Sequence, residues 1–289
     1  MSMDTTEPDV IEQMADVGLT GLVIADLVVD GKIQRFRPDW EPKVKKKRAW
    51  YVLFPFKTDS DNELIVGSFG WFKGADTYTF NVSLKSDVVL TQAEKTRFAK
   101  EQDEKQELAK EERKKEIKAT AKKAKDIWDK LPTQGRSPYL QRKKVAAFNV
   151  RFTRGSIVLP VYGFDRVLSG LQFIDPEGNK KFLTGTVKKG KFCILGNSIN
   201  PMEYMAVSEG YATGASVRMA TNWIVFIAFD AGNLIHVAKA VREKYQQAKI
   251  VICGDDDLGN PDNPGRVKAE QAAKAVNGIA VFPFREVAA

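Results

Sequence analysis

Acidic residues directly follow two apolar, strand-like segments in the last third of the chain. Glu209 follows the segment 205–208, and Asp255 and Asp257 follow the segment 250–253. Ligands of open α/β sheets bind beyond the carboxyl ends of the strands, so we expect these carboxylates to meet at one edge. Like charges held together repel unless a cation neutralises them, and oxygen-only ligands suit Mg²⁺ or Mn²⁺. The spacing therefore predicts a metal site built on these three residues.

Two alternatives remain open for the acidic residues. Residues 255–257 could instead cap the following helix or fill a loop, as single acids at strand ends often do. Asp230 ends the apolar segment 223–229, and is either a further metal ligand or the cap of a helix that starts near Leu234. The sequence decides neither question, nor whether Asp256 contributes to a metal site.

The segment that carries these acids, residues 198–289, alternates between two patterns. Short continuous apolar runs are typical of buried strands, and the longer stretches between them are typical of helices. Strands that alternate with helices predict a parallel α/β sheet covered by helices on both faces. We predict strands at 204–207, 223–229, 250–253 and 279–282, and helices at 211–221, 234–247 and 267–276.

Residues 131–197 show a different, strand-rich pattern. Strands are predicted at 156–162, 167–173 and 180–183, with a turn at 175–178. Lysines are concentrated in the same region, which therefore predicts a basic, β-rich subdomain. These lysines are Lys180, Lys181, Lys188, Lys189 and Lys191.

Two further regions precede this subdomain. Residues 91–130 contain no Gly or Pro and carry opposite charges at helical spacing, which predicts a long charged helix that acts as a spacer with few apolar contacts. Residues 1–90 show β-like runs separated by turn formers, and predict a small α+β domain with an antiparallel sheet. The predicted organisation is therefore 1–90, 91–130, 131–197 and 198–289.

The overall composition limits the possible partners. The chain has 45 Lys and Arg against 37 Asp and Glu, a formal charge of +8 that favours an anionic partner such as nucleic acid. Two cysteines and one histidine cannot supply the four ligands of a structural zinc site, so no zinc is expected. The cysteines lie at apolar positions and are expected to be reduced, as in a cytoplasmic protein. No apolar run is long enough to span a bilayer and the N-terminus is not a signal peptide, so no membrane partner is expected.

Three basic or aromatic clusters are candidate nucleic-acid contacts. Residues 43–48 form a basic run beside Trp50, which is either such a contact or a solvated loop. Trp71 and Phe72 could form a stacking platform, although such aromatics usually belong to the core. The third cluster combines cations with an aromatic ring that could stack on a base: Arg136, Tyr139, Arg142, Lys143 and Lys144.

The acidic motifs resemble those of TOPRIM domains, which are shared by primases, topoisomerases and some nucleases. Such domains carry a Glu after the first strand and an Asp-x-Asp after a later one. Glu209 in VSEGYATGAS and Asp255 and Asp257 in IVICGDDD match this pattern. Bacterial replicative primases follow the second motif with an arginine-bearing turn and a helix, which the turn ending in Arg266 and the segment VKAEQAAKAV resemble. The resemblance implies that Arg266 contacts nucleotide or DNA.

The preceding region also resembles the basic subdomain of those primases. More specifically, the chain from about 137 to 283 is similar to TraC-type plasmid and phage primases. This similarity rests on SPYLQRKKV, LQFIDPEGNKKFL, SEGYATGAS, FDAGNL and the VICGDDD and NPGR segments. It implies contacts to nucleotide or template DNA by the basic residues Lys181, Lys188, Lys189, Arg142, Lys143 and Lys144.

The resemblance implies a DNA primase that makes short RNA primers on single-stranded DNA from NTPs. Two Mg²⁺ ions at Glu209, Asp255 and Asp257 would carry the reaction. A TOPRIM nuclease is the alternative among enzymes, although the lysine-rich region favours synthesis. A non-catalytic DNA-binding accessory protein of replication is the alternative outside enzymes. No Walker A motif is present, so we expect a replicative helicase partner to be a separate protein.

Overall fold

The structure, a computed structural model, describes residues 5–42, 47–59, 63–73, 76–84, 90–196, 203–255 and 263–283. The chain divides into two compact units, 1–109 and 110–289. This division falls inside one continuous helix, and the predicted boundaries near 90 and 130 stay predictions. None of the helices in the described ranges is both long enough and apolar enough to cross a membrane.

The first unit contains a four-stranded antiparallel sheet with a helix packed on one face. Its elements are α1 (Glu7–Asp16), a 3₁₀ helix (Ile24–Asp26), β1 (Gln34–Phe36), β2 (Ala49–Lys57), β3 (Glu63–Lys73) and β4 (Asp76–Asn81). The strands lie in the order β1-β2-β3-β4. Successive residues of a strand point to opposite faces, so Tyr51 and Leu53 of β2 join Val10 and Met14 of α1 in the core. The predicted antiparallel sheet is confirmed.

Helix α2 (Gln92–Lys130) belongs to both units. Near its start, Phe98 lies edge-on against Phe56 of β2, with ring centroids 5.2 Å apart. Near its end, Ala124 is fully buried against Val158, since its small side chain lets the helix approach the sheet of the second unit closely. The predicted charged helix is therefore present. The described residues of this helix contact the two sheets at a few points near its two ends, and its role as a spacer stays a prediction.

The second unit begins with a short helix and an antiparallel sheet. Its elements are α3 (Pro138–Lys143), β5 (Arg151–Thr153), β6 (Ser156–Tyr162), β7 (Leu168–Ile174) and β8 (Lys180–Phe182). The strands lie in the order β5-β6-β7-β8. The turn between β7 and β8 is fixed by Asp175, whose Oδ1 accepts hydrogen bonds from the N–H groups of Gly178 and Asn179 at 2.8 and 2.7 Å. The predicted strands and turn of this region are confirmed.

A five-stranded sheet follows, with helices between its strands. Its elements are β9 (Cys193–Leu195), β10 (Tyr204–Ser208), α4 (Tyr211–Thr221), β11 (Ile224–Ile227), α5 (Ala231–Lys244), β12 (Lys249–Cys253), α6 (Pro264–Ala275) and β13 (Ile279–Val281). The order is β13-β12-β10-β11-β9, and only the β9–β11 pairing is antiparallel. The predicted alternation of parallel strands and helices is confirmed, and the fold of this unit is α/β.

The two sheets of the second unit share one core. Ile157 and Leu159 of β6 pack in the same cluster as Ala206 of β10 and Val225 of β11. Strand β9 lies within the predicted 131–197 subdomain, but it is an edge strand of the five-stranded sheet. It pairs with β11, and all three of its residues are buried. Residues on both sides of the predicted boundary at 197 and 198 therefore contribute to one core.

Candidate metal and nucleotide site

Three carboxylates lie at the carboxyl ends of three adjacent parallel strands. Glu209 follows β10, Asp230 follows β11 and Asp255 follows β12, and the strand register brings the three ends level with one another. All three residues are half-buried. We call Glu209, Asp230 and Asp255 the acidic edge.

The metal site predicted from the sequence lies only partly within the described residues. Asp256 and Asp257 lie outside them, and the described part of the chain holds no group of three His, Cys, Asp or Glu residues that could bind a metal ion. Glu209 and Asp255 supply carboxylate oxygens, the donor type that Mg²⁺ prefers. The Asp255 Oδ1 accepts a hydrogen bond from the Thr213 hydroxyl at 3.2 Å. The donor chemistry of the two residues fits Mg²⁺ or Mn²⁺.

The segment after Glu209 is shaped by close packing of α4 on the sheet. A Cβ on Gly214 would lie 2.2 Å from Cδ1 of Ile227, so a larger residue does not fit there. Tyr211, the first residue of α4, is buried, and its hydroxyl accepts a hydrogen bond from the Phe148 N–H at 2.6 Å. Burial raises the pKa of Tyr211, so the hydroxyl stays protonated. These contacts fix the strand-to-helix turn that presents Glu209.

Asp230 uses both carboxylate oxygens within the protein. Its Oδ1 caps α5 by accepting a hydrogen bond from the Asn233 N–H at 3.0 Å, and its Oδ2 forms an ion pair with Lys188. The helix consequently begins at Ala231, earlier than the predicted start near Leu234. Asp230 therefore caps α5, as one of the two alternatives predicted, and its role as a metal ligand stays a prediction.

The side chain of Asn233 connects the loop 188–191 to the acidic edge. The residue is 3% exposed. Its Oδ1 accepts from the Gly190 N–H at 2.8 Å, and its Nδ2 donates to the carbonyls of Lys188, Lys191 and Ala228 at 2.9, 3.0 and 2.9 Å. We call residues 188–191 the lysine loop. Asn233 was not predicted to belong to the site. The signal available in the sequence was its position in FDAGNL, three residues after an acidic helix cap.

The lysines of the β-rich sheet divide between its two faces. Lys180 and Lys181 are neighbours in β8, so they point to opposite sides. Lys180 faces the acidic edge, since its Nζ lies 3.5 Å from the position that a Cβ on Gly210 would occupy. Lys181 pairs with Phe173, which packs on the side of the sheet that α2 covers. The structure thus brings Lys180, which was not predicted as a contact, to the site and places Lys181 on the other face.

Lys188 and Lys189 lie in the lysine loop. The Lys188 Nζ lies 5.6 Å from the centroid of the Phe182 ring, in addition to its ion pair with Asp230. Phe182 in turn packs edge-on against Phe229, just before Asp230, with centroids 5.7 Å apart. Both lysines are exposed, but Lys188 is held at the acidic edge by its ion pair with Asp230.

The cluster around α3 is more buried than the sequence suggested. Tyr139 is 4% exposed and therefore cannot present its ring to a base. Its pKa is raised, first by burial and also by the negative charge of Asp255. Arg142 donates to the Pro176 carbonyl at 2.9 Å. The cations of this cluster that are exposed to solvent are Arg136, Arg142, Lys143 and Lys144.

Arg266 lies in the first turn of α6. Its backbone N–H donates to the Oδ1 of the helix cap Asn263 at 3.3 Å. Its guanidinium lies over the Phe282 ring, 4.3 Å from the centroid, and its Nε lies 3.2 Å from Glu270. Phe282 also touches the turn before Asp255, because a Cβ on Gly254 would lie 2.7 Å from the ring. Arg266 thus borders the acidic edge through Phe282.

Comparison with known proteins finds primases. No family model matches the chain. A protein of Escherichia coli described as DNA primase TraC is 36% identical over 165 residues, which cover 54% of this chain and 11% of that protein. A second Escherichia coli protein of the same description is 39% identical over 132 residues, covering 44% of this chain and 12% of that protein. The match thus spans about a tenth of the length of these relatives.

Two solved structures show weaker likeness. One is a complex of the bacteriophage T7 lagging-strand DNA polymerase with primase domains bound to an RNA/DNA hybrid, with 19% identity, a TM-score of 0.36, and coverage of 51% of this chain and 76% of that one. The other is the DnaG primase catalytic domain bound to single-stranded DNA, with 10% identity, a TM-score of 0.39, and coverage of 61% and 74%. Scores this low support no conclusion about fold or function.

Proposed function

We propose that this chain is a DNA primase, which synthesises short RNA primers on single-stranded DNA from NTPs, and that its five-stranded sheet is a TOPRIM domain. One observation carries the proposal. Glu209 and Asp255 lie at neighbouring strand ends, and Asn233 holds a lysine loop over the same edge. The similarity to two curated primases supports it.

Glu209 and Asp255, together with Asp257, would hold two Mg²⁺ or Mn²⁺ ions. Bound there, such ions orient a triphosphate and stabilise the negative charge that develops in an in-line displacement. The protein groups around them set the geometry of the ligands. Thr213 orients Asp255 through its hydroxyl hydrogen bond, and Tyr211 fixes the turn that presents Glu209.

Lys180 and Lys188 supply positive charge for the phosphates of a nucleotide. Lys188 is paired with the Asp230 carboxylate, and an incoming phosphate, also an anion, would compete for the same ammonium group. Lys180 lies beside Gly210, next to Glu209. The two cations, one in β8 and one in the lysine loop, therefore lie at the acidic edge, where they would contact the triphosphate of an NTP.

Incubation with single-stranded DNA, Mg²⁺ and labelled NTPs tests the proposal. Primers are expected, whereas degradation of the DNA would indicate a nuclease, and neither product would indicate a non-catalytic DNA-binding protein. Asp255→Asn, which keeps the shape of the side chain, should reduce primer synthesis to background. Its melting temperature should stay the same or rise, because one fewer negative charge relieves repulsion.

Glu203→Gln is the matched control for Asp255→Asn. Glu203 precedes β10 at the opposite end from Glu209, and it is an exposed carboxylate paired with Lys249. This variant should prime as well as the unmodified protein. Normal priming by Asp255→Asn would rule out the assignment of Asp255 to the metal site.

A further inference from the structure

One face of the sheet in the first unit carries aromatic rings, an arginine and hydroxyl groups. The strand register places Arg35, Trp50, Gly70 and Thr79 in one row across all four strands, and pairs Phe72 with Thr77 in the next row. Directly opposed residues of antiparallel strands point to the same side, as do residues two apart in one strand. We call the surface formed by these residues the outer face: Arg35, Trp50, Gly70, Phe72, Thr77 and Thr79.

The opposite side of the same sheet is the core of the unit. Tyr51 and Phe69 are each 2% exposed there. Trp71 packs against that core and stacks on Tyr78, with ring centroids 5.1 Å apart. The two aromatics that the sequence offered as one stacking platform are therefore separated: Trp71 belongs to the core side and Phe72 to the outer face.

The outer face presents both rings and cationic charge to solvent. Arg35, Thr77 and Thr79 are exposed, and Trp50 and Phe72 are half-buried. The Arg35 guanidinium lies over the Phe72 ring, 5.4 Å from its centroid. The strand register fixes the side of the sheet that each of these residues faces.

Gly70, in the middle of the row, is buried and carries no side chain. A Cβ at this position would lie 1.9 Å from the Tyr78 carbonyl oxygen, so the close approach of β3 and β4 requires glycine. Trp50 and Phe72 are diagonal neighbours on adjacent strands, about 7–8 Å apart. Each ring can therefore stack on a different base.

The chemistry of this face fits a phosphate-bearing strand. None of its residues carries a carboxylate, and neither do Val52, Ser68 and Asn81, which form the next row. Beside it, the Arg48 carbonyl accepts a hydrogen bond from the Phe72 N–H at 3.0 Å, and Lys47 is exposed. Aromatic faces that stack on bases, together with cations that contact phosphates, are how proteins grip single strands. A purely apolar protein surface would instead bury Arg35 and the hydroxyls without partners, at a cost in free energy.

We propose that the outer face binds single-stranded DNA, with Phe72 and Trp50 stacking on bases and Arg35 contacting a phosphate. The identification of that strand as a primase template rests on the proposed function. The binding itself requires neither metal nor NTP, so it can be measured separately from synthesis. Residues 43–46 of the basic run lie outside the described residues and take no part in the argument.

Fluorescence anisotropy of the full chain with a labelled oligo-dT, in EDTA and without NTPs, tests the proposal. Phe72→Ala should weaken binding about 5- to 150-fold, the effect of losing one stacked base. Phe72→Tyr, which keeps the ring, should bind like the unmodified protein. Arg35→Gln should reduce the slope of log affinity against log salt by about 0.7, since one phosphate contact is lost.

Tyr78→Ala is the matched control, because Tyr78 is 40% exposed but lies on the opposite side of the same sheet. It should bind within about twofold of the unmodified protein, and melting curves should show that all variants are folded. Unchanged binding by both Phe72→Ala and Arg35→Gln, or equal losses with Tyr78→Ala or Phe72→Tyr, would overturn the proposal. Primer synthesis is assayed in parallel: a chain that makes no primers but shows the expected binding pattern contradicts the proposed function alone.

Discussion

Removal of the Asn233 side chain should make the lysine loop less ordered and leave the carboxylates of the acidic edge in place. Asn233→Ala deletes four contacts at 2.8–3.0 Å, but the two N–H protons of the amide are shared among three carbonyls. Counting about three full hydrogen bonds at roughly 1 kcal/mol each gives a loss of about 3 kcal/mol. For a unit of this size each kcal/mol corresponds to about 2–4 °C, so the second unit should melt roughly 6–12 °C lower.

Hydrogen exchange and steady-state kinetics should also report the loss of the Asn233 side chain. The Gly190 amide, which donates to Asn233 Oδ1, should lose its protection in hydrogen exchange, while amides of β10 keep theirs. The KM for NTPs should rise about 5- to 30-fold, because ordering one loop residue on binding costs about 1–2 kcal/mol. The kcat should change less, since Glu209 and Asp255 stay in place.

Two variants sharpen the interpretation. Lys239→Ala removes an exposed side chain from the same helix and should change stability by less than about 0.5 kcal/mol. Asn233→Asp keeps the shape but points a carboxylate oxygen at three carbonyls, so at neutral pH it should destabilise at least as much as Asn233→Ala. Retained protection of Gly190 in Asn233→Ala, with an unchanged melting temperature, would refute the reasoning.

Three further outcomes are expected. Gly254→Ala should lower stability by about 1–3 kcal/mol in denaturant titrations, because its Cβ would lie 2.6 Å from the Cβ of Ala269. Burial raises the pKa of the Cys253 thiol to about 11, so this thiol ionises at lower pH in the unfolded chain than in the folded one. The free energy of unfolding should therefore fall as pH rises from about 9 to 11. Iodoacetamide at pH 8 should label this thiol only after denaturation. Lys180→Ala should raise the KM for NTPs, whereas Lys181→Ala should leave it within about twofold, and the opposite result would contradict the assignment of faces.

Much of the fold followed from the sequence because its signals are local. The apolar runs of β10, β11 and β12 are continuous since both faces of this sheet are covered: Met205 and Val207 pack in one cluster and Ala206 in another. Because these strands are parallel neighbours, their carboxyl ends lie at one edge of the sheet, and so do the acidic residues that follow them. The common position of Glu209 and Asp255 was thus predictable.

The missed features depend on partners far away in the chain. Strand β9 is only three residues long, and its membership of the five-stranded sheet is set by pairing with β11. Three of the four partners of the Asn233 side chain are backbone groups of a loop more than 40 positions earlier, which no pattern reveals. The faces of Lys180 and Lys181 depend on the register of β8, which the Asp175 turn fixes. In α2, the sparse apolar residues at the two ends mark real contacts.

The strand order has a consequence for how the chain folds. Strand β10 pairs with β12, so Tyr204 meets Lys249 from 45 positions away, whereas β2 and β3, and likewise β6 and β7, join through short hairpins. Contacts distant in sequence cost more loop-closure entropy and form more slowly. We therefore expect both antiparallel hairpins to appear early, during synthesis from the N-terminus, and the edge with Glu209 and Asp255 to be completed last. The face proposed to bind single-stranded DNA would then form before the proposed metal site.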